Sequence, residues 1–268
     1  MKKSSILLIS CLAIACGPKK ELPVKPEAAE TPVALAVKKD ARMIGPEKPA
    51  EQTLIEEAIE KLQANADMPC IGYWVGMFGK NKINIAIAEI KDGKAVGYTV
   101  CAGNFRPVAG TVTVDQDIYR IVLDEPGTDK YDGHFIFAIY PKNNSLEGTW
   151  TPFKKGIVAD KTFTLTKRAY AYNVENGMFP ESSSRLLTES DVSNLNEEEL
   201  GFMRNEIYAR HGYSFKDLQD RRQFDTVAWY VPMGIDIREK LTDIEVQNID
   251  LIYRYEEYYH ENYDSYGR

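Results

Sequence analysis

KINIAIAEIKDGKAVGYTVC, the stretch from Lys82 to Cys101, decides the fold. It contains two runs of residues with the period of two that is typical of β-strands. The runs meet at Asp92-Gly93, a dipeptide that favours the tight type I′ turn of a β-hairpin. In the first run, isoleucine occupies positions 83, 85 and 87, which is the period of a β-strand. The stretch therefore predicts a hairpin of two long antiparallel strands.

The same pattern continues on both sides of this hairpin. Turn signals such as Glu125-Pro126-Gly127 and Asp132-Gly133 separate further runs with a period of two, and no helical pattern lies between them. The predicted strands are Ile71–Trp74, Lys82–Ile90, Ala95–Cys101, Val108–Val114, Ile118–Leu123, His134–Tyr140, Leu146–Trp150 and Thr162–Leu165. Eight short strands in hairpin order predict an antiparallel β meander over residues 67–173, closed as a small barrel or packed as a sandwich.

Large side chains are expected inside this meander: Tyr73, Phe135, Phe137 and Trp150. An interior filled in this way would leave no space for a ligand, whereas smaller side chains would leave the cavity of a carrier protein. Residue size inside the meander therefore separates a filled scaffold from a ligand carrier.

A helical pattern precedes the meander. Apolar residues at helical spacing between glutamates, such as Ile55, Ile59 and Leu62, predict an amphipathic helix over residues 51–66. The strand after Lys82 has small apolar side chains, including Ala86, on its second face. We therefore expect this helix, or a second domain, to cover part of the outside of the meander.

The chain becomes helical again towards its C-terminus. Asn196-Glu-Glu-Glu199 has the form of a capping box, and it predicts a helix that runs to His211 and ends at Gly212 in a left-handed conformation. A second capping box, Thr242-Asp-Ile-Glu245, predicts the start of a long terminal helix. The sequence therefore predicts a small all-α domain over residues 181–268.

Between these two capping boxes the sequence resembles the YARHG domain. The run that names the family stands here as Tyr208-Ala209-Arg210-His211-Gly212, and the flanking Arg204-Asn205-Glu206-Ile207 and Trp229-Tyr230 also fit its pattern. The resemblance extends from about Leu186 to Glu257. It implies a small extracytoplasmic bacterial module, often attached to lipoproteins, peptidases or kinases, and it implies no activity because the family has no established one. The meander is also similar, through Gly72-Tyr-Trp74 and Gly148-Thr-Trp150, to lipocalin-like barrels.

The N-terminus has the organisation of an export signal. Met1-Lys2-Lys3 is basic, and the apolar run that follows is shorter than the about 20 residues that a membrane-spanning helix needs. Leu12-Ala-Ile-Ala-Cys16 resembles a lipobox, at which bacterial lipoproteins are cut before a cysteine that is then lipidated. Leu8-Ile-Ser-Cys11 also fits, but it would leave only a stub of the apolar core. An ordinary signal peptide, discarded with both cysteines, is the alternative.

We therefore predict a signal peptide over residues 1–15 and lipidation at Cys16. Residues 16–50 are rich in Lys, Pro, Ala and Glu and are predicted to be a disordered, extended tether. The net charge of −7 argues against a nucleic-acid partner, whose phosphates bind lysine and arginine. The same acidic balance argues against electrostatic binding to anionic lipid, so membrane association is expected to rest on the lipid anchor alone. The predicted location is the bacterial cell envelope.

No pattern of catalytic or metal-binding residues stands out. The three histidines, His134, His211 and His260, are far apart, and the sequence contains no zinc-ligand spacing, phosphate-binding glycine loop or nucleophile elbow. We expect no enzyme activity, no metal and no cofactor. His211 falls on the core-facing stripe of its helix, where we expect it to bond a backbone carbonyl. Arg204 is expected to need an acidic partner or free helix carbonyls, and Arg210 to lie at the edge of the stripe.

Cys70 and Cys101 are expected to remain free thiols. The turn at Asp92-Gly93 sets Cys101 opposite about Asn84, and a turn at Lys80-Asn81 sets Cys70 opposite about Lys91. At ~3.3 Å per residue the two cysteines then lie roughly 20 Å apart, whereas a disulfide needs Cα atoms within about 7 Å. A disulfide, the usual outcome in an oxidising compartment, is the alternative.

Three functions stay open. The first is a non-enzymatic envelope lipoprotein whose β domain and C-terminal module bind an envelope protein or peptidoglycan. Its candidate contact residues are Tyr208, His211, Trp229 and Tyr230. The second function is a lipocalin-like carrier of a hydrophobic ligand, and the third is an envelope hydrolase. We favour the first because no catalytic set of residues is found.

Overall fold

The computed structural model describes residues 41–262, and the eight predicted strands are all present. They are β1 Gly72–Phe78, β2 Asn81–Lys91, β3 Lys94–Cys101, β4 Asn104–Asp115, β5 Ile118–Asp124, β6 Gly133–Tyr140, β7 Ser145–Pro152 and β8 Lys161–Arg168. Each strand is antiparallel to its neighbours, and β8 returns to pair with β1, where Trp74 lies opposite Lys167. The meander is therefore a closed up-and-down barrel and not the alternative sandwich.

Tight turns connect the first strands. Asp92 and Gly93 have φ angles of 50° and 72°, the left-handed values that a type I′ hairpin turn requires, as predicted. Ala102 and Gly103 have φ angles of 51° and 69° and form a second turn between β3 and β4. This turn was not predicted, and because of it β4 begins well before the predicted start at Val108.

Large side chains fill the barrel. The inward-facing set includes Trp74, Phe135, Phe137, Trp150 and Leu165, all buried. An eight-stranded barrel is just wide enough for such side chains to fill it. The prediction was wrong for Tyr73, because it directly precedes the inward-facing Trp74 and successive side chains of a strand point to opposite faces.

Cys70 and Cys101 are both free, as predicted. The pairing of β2 with β3 shifts by one residue at Ala88, which forms a β-bulge. Cys101 therefore lies opposite Ile83 and not, as predicted, opposite Asn84. The isoleucines at 83, 85 and 87 are followed by Ile90, and this break in the alternation coincides with the bulge.

An N-terminal helix covers part of the barrel, as expected. This helix, α2 (Ala50–Ala64), packs on the outer face of β2. Ile55 of α2 is fully buried, whereas its neighbour Leu54 is 48% exposed. Ala86 and Ala88 are also buried, and their short side chains allow the helix to approach the sheet closely.

The end of the predicted tether is ordered. A short helix, α1 (Ala41–Ile44), lies within the tether predicted at residues 16–50, and Ile44 is buried among apolar residues of the C-terminal region. The Gly45 carbonyl accepts a hydrogen bond from Arg238 at 3.0 Å. The prediction was therefore wrong for residues 41–50, because this apolar anchor and the charged donor offset the cost of ordering the chain. The predicted signal peptide, Cys16 and the rest of the tether lie outside the described residues.

The C-terminal region is helical, as predicted. It contains α3 Glu181–Ser184, α4 Glu189–Val192, α5 Glu197–Arg210, α6 Leu218–Phe224 and α7 Asp243–Asn262. The predicted capping box begins α5: the Asn196 side chain accepts from the Glu199 amide at 3.0 Å, and the Glu199 carboxylate accepts from the Asn196 amide at 2.9 Å. Thr242 and Glu245 form the second predicted box at α7. The helices enclose an apolar core of their own.

The segment 225–234 joins the helical region to the barrel. The Lys82 ammonium donates to the carbonyls of Val227 at 2.6 Å and Tyr230 at 3.1 Å. The side-chain amide of Asn84 donates to the Pro232 carbonyl at 2.9 Å. The Lys82 ammonium and the Asn84 amide nitrogen on the outside of β2 therefore find their acceptors in backbone of the helical region, and barrel and helices form one compact unit.

Candidate functional site

The run 208–212 lies at the end of α5, and Arg210 connects it to the chain that enters the helical region. The buried Arg210 guanidinium donates to two carbonyls and two hydroxyls of the segment 176–183, at 2.7 to 2.9 Å. Glu206, one turn earlier on α5, accepts from the amides of Met178 at 2.7 Å and Phe179 at 2.9 Å. Arg210 also donates to Glu206 at 3.2 Å. The prediction that Arg210 lies at the edge of the helix stripe was wrong, because its guanidinium is buried between this segment and Glu206, where its donors find acceptors.

Arg204 has the acidic partner that was predicted. Its guanidinium forms two hydrogen bonds of 2.9 Å with the Glu256 carboxylate on α7. A bidentate pair of this kind is stronger and more specific in geometry than a single contact. It links α5 to α7.

His211 is a buried histidine with a charged partner. Its Nε2 lies 2.7 Å from Oε2 of Glu245, and its ring stacks on that of Tyr172 at 4.5 Å between centroids. The Glu245 carboxylate also accepts from Ser183 at 2.7 Å and from the Thr242 amide at 2.9 Å. Burial opposes ionisation of Glu245, but these contacts together outweigh it and lower the pKa of Glu245. His211 is thus a satisfied core histidine, as predicted, with a carboxylate where a carbonyl was expected.

Gly212 ends the helix as predicted. Its φ angle is 75°, and the Tyr213 amide turns back to donate to the Tyr208 carbonyl at 3.0 Å. The rings of Tyr208 and Tyr213 lie 6.1 Å apart in an edge-to-face contact. A Cβ at Gly212 would lie 2.6 Å from Cγ of Met233, so the position has no space for a side chain.

Most of the predicted contact residues are inaccessible. Tyr208, His211 and Tyr230 are all at most 4% exposed, and the Tyr230 hydroxyl donates to the Tyr213 carbonyl at 2.7 Å. A partner could not touch these three side chains without rearranging the core. Trp229 is half-buried, so of the four predicted residues it alone presents a surface.

A cleft of about 650 Å³ opens where α2, the barrel and the helical region meet. We call it the junction cleft. Its apolar lining is formed by Ile59, Leu62, Ile71, Tyr73, Tyr170 and Met233, and its charged lining by Glu56, Glu60, Lys167, Arg168 and Lys240. Ligand sites commonly combine an apolar wall with a few polar groups at the meeting point of domains.

Backbone carbonyls of the run 208–212 hold two residues of the cleft lining, Tyr170 and Met233, in place. The Tyr170 hydroxyl donates to the Arg210 carbonyl at 3.0 Å. The Met233 amide donates to the Gly212 carbonyl at 2.7 Å, and the Met233 side chain occupies the space that a Gly212 side chain would need. The motif therefore shapes the cleft without lining it.

Positive charge in the junction cleft is only partly neutralised. Lys240 lies 5.8 Å from the centre of the Tyr170 ring and forms no ion pair with any residue from 41 to 262. Burial lowers the pKa of Lys240. Arg168 is exposed, and Glu56 is engaged by Lys48 at 2.7 Å. The cleft can therefore receive a ligand that combines an apolar surface with negative charge.

Sequence reasoning missed the junction cleft. Its lining comes from three separate stretches, near residues 56–73, 167–170 and 233–240, and none of them forms a motif. The adjacent cations Lys167-Arg168, followed by Tyr170 at the end of the meander, were the only local signal. The cleft depends on tertiary contacts that a single sequence does not display.

Neither a metal site nor a membrane helix is found in the described part of the chain. Across residues 41–262, no three His, Cys, Asp or Glu side chains converge in a way that could coordinate a metal ion. No helix in this range is both long enough and apolar enough to traverse a bilayer.

Comparison with known protein families matches residues 176–257 to the YARHG domain. The match starts before Leu186, the predicted beginning, and so includes the segment 176–183 that binds Arg210 and Glu206. Searches among curated proteins and among solved structures found no match. The helical C-terminal region of this chain therefore contains a YARHG domain, a module typical of extracytoplasmic proteins.

Proposed function

We propose that this protein is a non-enzymatic accessory protein of the bacterial cell envelope, which binds an envelope partner in the junction cleft. The observation that carries the proposal is that the YARHG run supports the lining of the cleft. The Arg210 carbonyl accepts a hydrogen bond from the Tyr170 hydroxyl, and the Gly212 carbonyl accepts one from the Met233 amide. His211, the residue of the run best suited to acid–base chemistry, is buried against Glu245 and out of reach of a substrate. The chemistry of the run thus supports a structural role.

Peptidoglycan is the partner whose chemistry fits the cleft best. Its peptide stems carry carboxylates, which the exposed guanidinium of Arg168 and the ammonium of Lys240 can attract. The rings of Tyr73 and Tyr170 offer apolar faces for sugar or aliphatic groups. Burial raises the pKa of Tyr73 to about 12, so its hydroxyl remains a neutral donor under physiological conditions.

Co-sedimentation of the full chain with purified peptidoglycan sacculi tests this proposal. We expect the wild type to sediment and Arg168→Glu to reduce the bound fraction at least about threefold, because the change reverses a charge in the cleft. Arg120→Glu is the matched control: Arg120 is exposed on the outer face of β5 and does not line the cleft. It is expected to bind as the wild type does.

Two results would contradict the proposal. One is a wild-type chain that stays in the supernatant at low ionic strength. The other is an equal loss of binding for Arg168→Glu and Arg120→Glu, which would indicate only a general charge effect. Capture of an envelope protein that depends on Arg168, without sacculus binding, would identify the partner as a protein.

Attachment through a lipid at Cys16 is part of the proposal. The lipobox resemblance of Leu12-Ala-Ile-Ala-Cys16 supports it. Cys16→Ser is expected to abolish labelling by a fatty-acid analogue and to release the chain from membranes, whereas Cys11→Ser is expected to leave both unchanged. Labelling that is lost only in Cys11→Ser would place the anchor at the other cysteine.

The filled barrel does not favour the lipocalin-like carrier. Trp74, Phe135 and Trp150 occupy the space that an enclosed ligand would need. The barrel is better understood as the support against which α2 and the YARHG domain are arranged.

A further inference from the structure

A second cavity, of about 330 Å³, opens at the opposite end of β1 and β8 from the junction cleft. We call it the barrel mouth. The residues that matter for its chemistry are Phe78, Arg106, Glu125, Trp150 and Lys161. A volume of this size lies at the small end of the range for ligand pockets.

The carboxylates at the barrel mouth are already engaged by protein donors. One oxygen of Glu125 accepts from the Trp150 indole and from the Gly133 amide, each at 2.9 Å. Asp132, close by, accepts from Arg106 at 3.0 Å and from the Asp129 amide at 2.8 Å. Asp132 is thus neutralised by Arg106, whereas Glu125 keeps its charge but is held by two neutral donors and forms no ion pair with Lys161 within residues 41–262.

Lys161 is the cation that remains. It lies opposite Trp150 in the β7–β8 ladder, and its ammonium is 4.2 Å from the centre of the Phe78 ring and 5.1 Å from that of Trp150. Among residues 41–262 no carboxylate forms an ion pair with it. A contact between a cation and aromatic rings contributes only about 0.5–2 kcal/mol of stabilisation. An anionic ligand can therefore replace the rings as the partner of the Lys161 ammonium.

We propose that the barrel mouth binds a small amphiphilic carboxylate. The ligand's carboxylate pairs with the Lys161 ammonium, and its short apolar end rests against the rings of Phe78 and Trp150 that the ammonium leaves. The filled interior limits how far the apolar end can enter, which selects a short chain over a long one. The site is separate from the junction cleft, and the inference does not depend on the proposed function.

Isothermal titration calorimetry of the full chain with octanoate tests the inference. Octanoate is expected to bind with one-to-one stoichiometry. Octan-1-ol, which lacks the charge, is expected to bind at least about tenfold more weakly, since a hydrogen bond to a charged group contributes a factor of this order. Acetate, which lacks the apolar end, is expected to bind at least about tenfold more weakly because it loses the burial of the methylene groups.

Three variants assign the binding to Lys161. Lys161→Met keeps an unbranched apolar side chain without the charge and is expected to weaken octanoate binding about tenfold or more. Lys161→Arg restores the charge and is expected to keep most of the affinity. Lys80→Met is the matched control, because Lys80 is exposed in the neighbouring β1–β2 turn and does not line the mouth.

The inference is overturned if the wild type does not bind octanoate, whatever the variants do. It is also overturned if Lys161→Met binds octanoate as tightly as the wild type, or if Lys80→Met loses as much affinity as Lys161→Met. Equal binding of octanoate and octan-1-ol would overturn it as well, because the mouth would then recognise only the apolar chain.

Discussion

Gly212 illustrates, at the scale of a single residue, how the YARHG run is used. Its φ angle of 75° lies in the left-handed region, where a β-carbon is penalised. The Met233 side chain packs against the same position. Glycine is therefore required both for the backbone conformation and because there is no space for a side chain. Both the backbone reversal and the wall of the junction cleft depend on this glycine.

We predict that Gly212→Ala lowers the free energy of unfolding by about 2 kcal/mol or more, as the sum of backbone strain and a clash with Met233. Gly156→Ala is the control, since Gly156 has a φ angle of 85° but no atom within 4 Å of the place that a β-carbon would take. It should cost only about 1 kcal/mol. Chemical denaturation of the two variants measures the difference, and equal losses would argue against the packing contribution.

Glu245 is the second residue whose surroundings make a measurable prediction. Its pKa is lowered below the usual 4.5, so the unfolded chain binds a proton more tightly than the folded chain. The resulting stabilisation is fully present above pH 4.5 and is lost as the pH falls through the folded pKa. Glu245→Gln should therefore have a lower melting temperature than the wild type at pH 7. The difference between the two melting temperatures should become smaller as the pH falls below 4.5.

Melting curves from pH 7 to pH 3 measure this dependence. Glu198→Gln serves as the control, because Glu198 is exposed in the first turn of α5. A gap between wild type and Glu245→Gln that stays constant over the whole range would show that the ionised carboxylate is not the source of the stabilisation.

At the scale of elements, α2 depends on a single apolar stripe. Ile55 points into the interface with β2, and the adjacent Leu54 points to solvent. We predict that Ile55→Ala costs about 2–5 kcal/mol through lost burial and a residual cavity, whereas Leu54→Ala changes stability by less than about 0.5 kcal/mol. Thermal unfolding of the two variants checks this. A similar cost for both would mean that α2 does not pack as described.

Elements with strong local signals were predictable from the sequence. Asp92-Gly93 fixed the central hairpin, and the capping boxes at Asn196 and Thr242 fixed the starts of two helices. The order of residues 41–50 was not predictable, because it depends on contacts with distant parts of the chain. The bulge at Ala88 was missed, although the spacing of the isoleucines breaks after Ile87. Tyr73 was assigned to the wrong face: it pairs with Ala86, whose side chain lies on the outer face of β2 that α2 covers.

At the scale of the whole molecule, the proposed binding surface is formed only when separate parts of the chain pack together. The motif residues could be read from the sequence, and so could the structural role of His211. The junction cleft could not, since it exists only after α2 and the segment 233–240 have packed against the barrel. Lys82 and Asn84 show the same dependence: both are polar residues in a strand pattern, and their partners lie in the segment 225–234.

The central claim is that the YARHG run supports the junction cleft while the partner binds in the cleft itself. Sacculus binding by His211→Ala and Arg168→Glu, measured side by side below the melting temperature of both, tests it most directly. We predict that His211→Ala loses about 1–3 kcal/mol of stability, because the buried Glu245 carboxylate loses one of its hydrogen-bond partners and the imidazole leaves an unfilled space, yet binds as the wild type does. Arg168→Glu should melt as the wild type does and bind poorly. A His211→Ala chain with wild-type stability and no binding would contradict the account.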